Sequence, residues 1–165
     1  MKQDATFDTS FWGNAYRVGL LSFVREQFTL YYTSSVAEEL PDTNSGGREF
    51  RRLVQRGEVV NAEPTTIHLL EFGAGERSAI SLALENEGWF LFVDDYRPFL
   101  EGLKRGLNVV STPMFVLTLY RSGIVQAKEA LDSLGRLAAL QTVSPHLFAM
   151  ALARLGDQAG TLRES

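Results

Sequence analysis

Cysteine is absent from this chain. That excludes disulfides, thiolate metal sites and a cysteine nucleophile. Histidine is nearly absent too: His68 and His146 stand far apart, so a histidine-rich zinc site is not expected. There is no surplus of positive charge. Sixteen Lys and Arg face twenty Asp and Glu, a net charge of −4 that does not advertise a nucleic-acid-binding protein, although net charge says little about local patches. No apolar run is long enough to span a bilayer, and the opening Met1-Lys2-Gln3-Asp4 lacks a signal-peptide core. The expectation is therefore no membrane partner and a cytoplasmic location. No P-loop and no D-x-D phosphotransfer motif occurs.

What the chain does have is enough apolar residues, 45% of 165, for one full core. Residues 1–156 read as a single domain and residues 157–165 as a flexible tail. Strand-like and helical stretches alternate. Residues 4–8, Thr29–Thr33, a stretch near Thr66–Phe72, Trp89–Val93 and Asn108–Val110 read as strands. A helix is expected from Phe11 to Phe28, broken near Gly19 and capped by Thr9 or Ser10. A short one follows Ser34-Ser35 and is stopped by Pro41. Asp42–Gly47 reads as a loop. Further helices are expected after it, after Glu76, from Arg97 to Arg105, and beyond Thr112-Pro113 with breaks near Gly123 and Pro145. Such alternation predicts an α/β fold, a central parallel sheet flanked by helices in three α/β/α layers.

The acidic residues fall at informative places. Asp8 follows Ala5-Thr6-Phe7, and Asp94-Asp95 follows the near-continuous apolar run Trp89–Val93. Ligands of open α/β sheets bind beyond the carboxyl ends of strands, where strand order reverses. Carboxylates gathered there repel unless a cation or proton neutralises them, which points to a hard divalent ion, Mg²⁺ or Mn²⁺. Glu39 and Glu76 are the other candidates. Glu76 also suits the positive end of a helix dipole. Asp94, at the strand end, is expected to bind metal and Asp95 to cap the next helix. Ser10 and Thr112 are candidates to orient a carboxylate or water, or to act as plain caps. Arg97 is expected to touch phosphate or to pair with Asp95. Arg48, Arg52 and Arg56 recur at helical spacing with Arg51 beside them. They form either a solvated face or an RNA-gripping one.

Four motifs in order carry a resemblance. Asp8-Thr9-Ser10 closes the first strand, and Val36-Ala37-Glu38-Glu39-Leu40 fits V-x-x-E-[LV]. Gly75–Ala83 fits G-E-x-x-A-I-x-L-A, and Leu91-Phe92-Val93-Asp94-Asp95 is a strand ending in D-D. Together they resemble the PIN-domain family, which includes VapC-type toxins, over roughly the first two thirds of the chain. The resemblance implies a Rossmann-like sheet and a divalent-metal-dependent endoribonuclease. Asp8, Glu39, Glu76 and Asp94 would be its catalytic metal ligands, with Asp95 beside them. It further implies an antitoxin partner, if the protein is the toxin of a toxin–antitoxin pair, and a tendency to homodimerise. The alternative is a non-catalytic PIN-like module that binds RNA or protein. The sequence departs from the branch at Ser111-Thr112-Pro113, where Gly-Thr is usual, and carries no assignable motif after Met114.

Overall fold

The computed structural model describes the backbone of residues 1–163 and the side chains as far as Leu155. The chain opens with β1 (Gln3–Phe7), α1 (Thr9–Arg17) and α2 (Leu21–Gln27). Next come β2 (Phe28–Tyr32), α3 (Ser34–Glu39), α4 (Ser45–Gln55) and β3 (Val59–Asn61). After a long connection follow α5 (Ala74–Glu85), β4 (Phe90–Phe92), α6 (Tyr96–Lys104) and β5 (Asn108–Val110). Helices α7 (Thr112–Arg121), α8 (Ala127–Leu140) and α9 (Pro145–Arg163) close the chain. The five strands form one parallel sheet in the order β3-β2-β1-β4-β5. The expected α/β architecture is present. The tail expectation for residues 157–165 falls on residues whose side chains lie outside the described part; the α9 backbone runs to Arg163.

The strand order explains where a site must lie. From β1 the chain winds outward through β2 to β3, crosses back through α5, and then builds β4 and β5 on the other side of β1. The strand ends of β1 and β4 therefore flank the switch point, the crevice where such sheets bind ligands. Phe7 is paired with Phe92, and the Asp8 N–H donates to the Phe92 carbonyl at 3.0 Å. The residues that follow these two strands, Asp8 and Asp94-Asp95, are thus brought to one edge.

Both sheet faces are covered, so β4 is wholly apolar and Ala5, Thr6 and Phe7 of its neighbour β1 are buried. On one face Phe7 packs with Trp12 of α1 and Phe50 of α4, while Phe92 packs with Phe11 of α1 and Phe115 of α7. On the other lie α5 and α6. Gly102 of α6 sits so close to β5 that an added Cβ would come within 2.7 Å of Val109 Cγ2. Helices α8 and α9 pack outside α7. The apolar runs Phe115–Leu119 and Leu134–Leu140, which suit either a partner or the core, largely serve the core: Phe115, Val116, Leu119 and Leu137 are buried.

Three local expectations are corrected. The third strand is Val59–Asn61, which takes the place beside β2, and Thr66–Phe72 forms an irregular connection instead. Helix α1 is capped by Asp8 rather than Thr9 or Ser10, because the Asp8 carboxylate accepts the Phe11 N–H at 2.8 Å. Helix α4 begins at Ser45, so Gly46 and Gly47 belong to its first turn. An added Cβ on Gly47 would lie 1.7 Å from the Pro41 carbonyl oxygen, so only glycine permits that close approach.

Candidate acidic site at the switch point

Asp8, Glu76 and Asp95 each bring one carboxylate oxygen within 4.8 Å of the other two. Asp8 is buried just past β1. One of its oxygens caps α1, and the other, Oδ2, is buried without any hydrogen-bond partner. Glu76 stands in the first turn of α5, where its Oε2 accepts the Gly73 N–H at 3.3 Å. Asp95 precedes α6, and Ser10 donates to its Oδ2 at 3.0 Å. The three carboxylates come from three separate elements, and each is held by a donor from its neighbourhood.

The electrostatics follow from burial and crowding. Burial pushes the Asp8 carboxyl well above its ordinary 3.8, against the Phe11 N–H, which lowers it; Asp94, Asp95 and Glu76 then add repulsion. Glu76 is raised to about 7, first by burial, then by its hydrogen bond to Asp95 and the charge of that group. Two of three clustered carboxyls are thus shifted toward their protonated forms when no cation is present.

The two adjacent aspartates point to different places. Asp95 makes no side-chain cap on α6 and faces the cluster. Asp94 turns into the interior and is completely buried. There Thr112 N–H donates to Oδ1 at 2.7 Å, while Thr112 Oγ1 and Asn14 Nδ2 donate to Oδ2 at 2.9 and 2.8 Å. Successive residues past a strand point to opposite sides, so only one can face the crevice. Asp94 is a buried anchor tying β4 to α1 and α7. Burial still raises its carboxyl to about 6, despite the three donors.

Glu39 lies beside the cluster rather than in it. Its Oε2 accepts the Thr9 hydroxyl at 2.6 Å and its Oε1 the Gly75 N–H at 2.9 Å. Those bonds clamp α3 to the starts of α1 and α5. Gly75 is required there, since an added Cβ would lie 2.3 Å from Glu39 Oε2. A buried hydroxyl pair, Thr33 with Ser78 at 2.6 Å, fixes the same two helices one layer deeper.

The supporting residues divide. Ser10 and Thr112 both orient carboxylates, and the cap of α7 is Ser111, which accepts the Met114 N–H. Arg97 pairs with no carboxylate among the described residues; its guanidinium lies 5.6 Å over the Phe72 ring. The arginines of α4 are engaged within the protein. Arg48 donates to the Asp42 carbonyl and Arg51 to the carbonyl of Leu40 at the end of α3. Arg52 pairs with Glu49, and Arg56 with Glu58. Because α4 runs opposite to the strands, Arg48 and Arg51 lie toward the site's edge of the sheet. Arg56 is about 12 Å further along the axis, toward the far edge. A surface depression of about 590 Å³ between Lys2, Arg25 and Glu58 is also at that far edge, away from the carboxylates.

Sequence reasoning read Thr9 only as a candidate cap, and overlooked Asn14 and the aromatic residues Phe72 and Tyr96. Only the last two carry a signal, their closeness in sequence to Gly73 and Asp95. A depression of about 340 Å³ opens between them and is walled by Glu76 and Asp95. Among the described residues no helix is long and apolar enough to cross a membrane.

A family model described as a PIN domain (DUF3368) matches residues 5–157. Solved structures similar to the chain include that of the PIN-domain endonuclease Utp24. It is 13% identical, with a TM-score of 0.46, over 66% of this chain and 84% of that one. A PilT N-terminus domain protein from the hyperthermophilic archaeon Sulfolobus solfataricus P2 is also 13% identical, with a TM-score of 0.39, over 66% and 87%. No curated protein matches the sequence.

Proposed function

The chain belongs to the PIN-domain family, and from that premise we propose that it is a divalent-metal-dependent endoribonuclease. One observation carries the reading: the buried Asp8 Oδ2, which has no partner, in a cluster with Glu76 and Asp95 at the switch point. A buried polar atom left unpaired costs about 1–3 kcal/mol, and an all-oxygen donor set suits Mg²⁺ or Mn²⁺. The residues present fit such an ion. Asp8, Glu76 and Asp95 would hold it. When bound, a divalent cation polarises a phosphodiester and lowers the pKa of a water into the range of a nucleophile.

The chain's own groups supply the rest. The Phe11 N–H, Ser10 hydroxyl and Gly73 N–H fix the three carboxylates. Glu39, with Thr9 and Gly75, holds α3 and α5 together beside them. Asp94 sets the end of β4 so that Asp95 faces the crevice. Arg48 and Arg51, anchored on the Asp42 and Leu40 carbonyls, would meet a phosphate backbone approaching from that side. Under the toxin reading, a small protein partner would block the crevice with a segment that places an arginine among the carboxylates.

Calorimetric titration of Mn²⁺ into the metal-free protein tests this, with Asp8→Asn and Asp95→Asn as controls. Saturable binding lost in both, together with Mn²⁺-dependent cleavage of RNA by the native protein alone, is the expected result. Absence of binding by the native protein would replace the nuclease with a PIN-like interaction module.

A further inference from the structure

The depression beside the carboxylates is lined by two flat surfaces, each backed by a second planar group. Tyr96 follows Asp95 directly and stacks on His146 of α9, their ring centroids 4.4 Å apart and planes 23° apart. In the same depression the Arg97 guanidinium lies over the Phe72 ring, 5.6 Å from its centroid. Backing of this kind fixes the plane of the exposed group, so little rotamer freedom is left to lose on binding. The open depression has a volume of about 340 Å³ and shares Glu76 and Asp95 with the acidic cluster. That volume falls at the lower end of the range of small-molecule sites.

Arg97 is exposed and pairs with no acid among the described residues, although Glu71, Glu76 and Asp95 line the same depression. It is spent on an aromatic face instead. Aromatic rings and arginine planes side by side are what unstacked nucleobases pack on, because every base has a π-face. A base inside a duplex has both faces covered by its neighbours and has none to offer.

Resting on the nuclease reading for what lies next door, we propose that Phe72, Tyr96 and Arg97 form a base pocket. It holds one unpaired nucleobase of the substrate strand beside the carboxylates. The pocket makes the site selective for strands with splayed bases and sets which nucleotide lies next to the cleaved bond.

The test is fluorescence anisotropy of a labelled ten-nucleotide RNA strand with the full chain in Ca²⁺ buffer. The competitor is a hairpin of the same composition, and a series of strands carries one abasic position each. Tyr96→Leu and Phe72→Leu keep apolar volume but lose the flat face; thermal melts confirm that both fold. Each is expected to weaken strand binding about 5- to 150-fold. One abasic position should weaken native binding similarly and leave the two variants indifferent. A variant that only loosened the fold would stay sensitive to that position. The hairpin should compete poorly. Unchanged affinity in both variants, equal competition by the hairpin, or no strand binding at all would overturn the pocket. The nuclease reading fails separately: a protein that binds the strand through Tyr96 but takes up no Mn²⁺ keeps the pocket and loses the metal site.

Discussion

Raising the pH in the absence of divalent cations should destabilise this protein, contrary to the usual behaviour of carboxylates in folded chains. Asp8, Glu76 and Asp94 all have carboxyls raised above their ordinary values, first by burial. The folded state then holds more protons than the unfolded chain, so stability falls as pH rises. For Asp94 the loss runs from its ordinary 3.8 to about 6, and for Glu76 from 4.5 to about 7. The displacement of Asp94 corresponds to about 3 kcal/mol. Glu76 is half-exposed, and solvent screening trims its share. Glu49, Glu63 and Glu85 act oppositely, because their carboxyls are lowered. Their stabilisation is complete above their ordinary 4.5 and is lost only as pH falls below it, so a scan above about pH 5 is nearly free of them. About 1.4 kcal/mol of the Asp94 effect remains in that window. For a chain of this length it alone lowers the melting temperature by about 3–6 °C, with Asp8 and Glu76 adding to it. The assay is thermal unfolding in EDTA at intervals from about pH 5 to pH 8, repeated with Mn²⁺ and with Asp8→Asn. Mn²⁺ at a hundredfold excess over its dissociation constant returns about 2.7 kcal/mol, most fully at the alkaline end, where protons no longer compete. Asp8→Asn keeps the capping oxygen, removes a buried charge, and should make the EDTA profile shallower while leaving the Asp94 and Glu76 share. A melting temperature that is level or rises from pH 5 to pH 8 in EDTA would refute the reasoning.

The neighbouring aspartates should respond oppositely to truncation. Asp94→Ala strands the Thr112 N–H and the Asn14 amide and should cost about 2–4 kcal/mol in urea unfolding. Asp95→Ala should leave stability unchanged or higher while abolishing Mn²⁺ binding by calorimetry. Gly75→Ala drives a methyl into the Glu39 carboxylate. It should lower cleavage at least tenfold in a fluorogenic RNA assay, with the fold retained by circular dichroism. Phe92→Ala, at the centre of the aromatic core, should cost about 3–5 kcal/mol in the same unfolding experiment.

Much of the fold was legible because its signals are local. The apolar runs before Asp8 and Asp94 read as strands whatever the rest of the chain does, and Gly19 marks the break between α1 and α2. The third strand was misplaced because Thr66–Phe72 has strand composition, while Val59–Asn61 is only three residues long. Which stretch joins the sheet depends on the neighbour that Leu30 and Tyr32 offer. In the site, the four acidic positions could be picked out by their motifs, but their division of labour could not. Whether Asp94 or Asp95 faces the crevice is decided by Asn14 and Thr112, 80 and 18 residues away in sequence. Glu39 matches its motif, yet its carboxylate is taken up by Thr9 and Gly75, a bond that exists only once three helix ends meet.

The corner between α8 and α9 reaches further than its place near the end of the chain suggests. Thr142 donates its hydroxyl to Asn14 Oδ1, and the Ser144 N–H points to the Asp94 carbonyl at 3.4 Å. Asn14 in turn holds the Asp94 side chain, and His146 backs Tyr96. The last two helices therefore act as a keystone for the crevice rather than as an appendage to it. A fragment cut before α8 would keep every strand and every clustered carboxylate, yet lose the Thr142 and Ser144 bonds that steady Asn14 and the Asp94 backbone. A binder that levered this corner could silence the site from behind, without entering it.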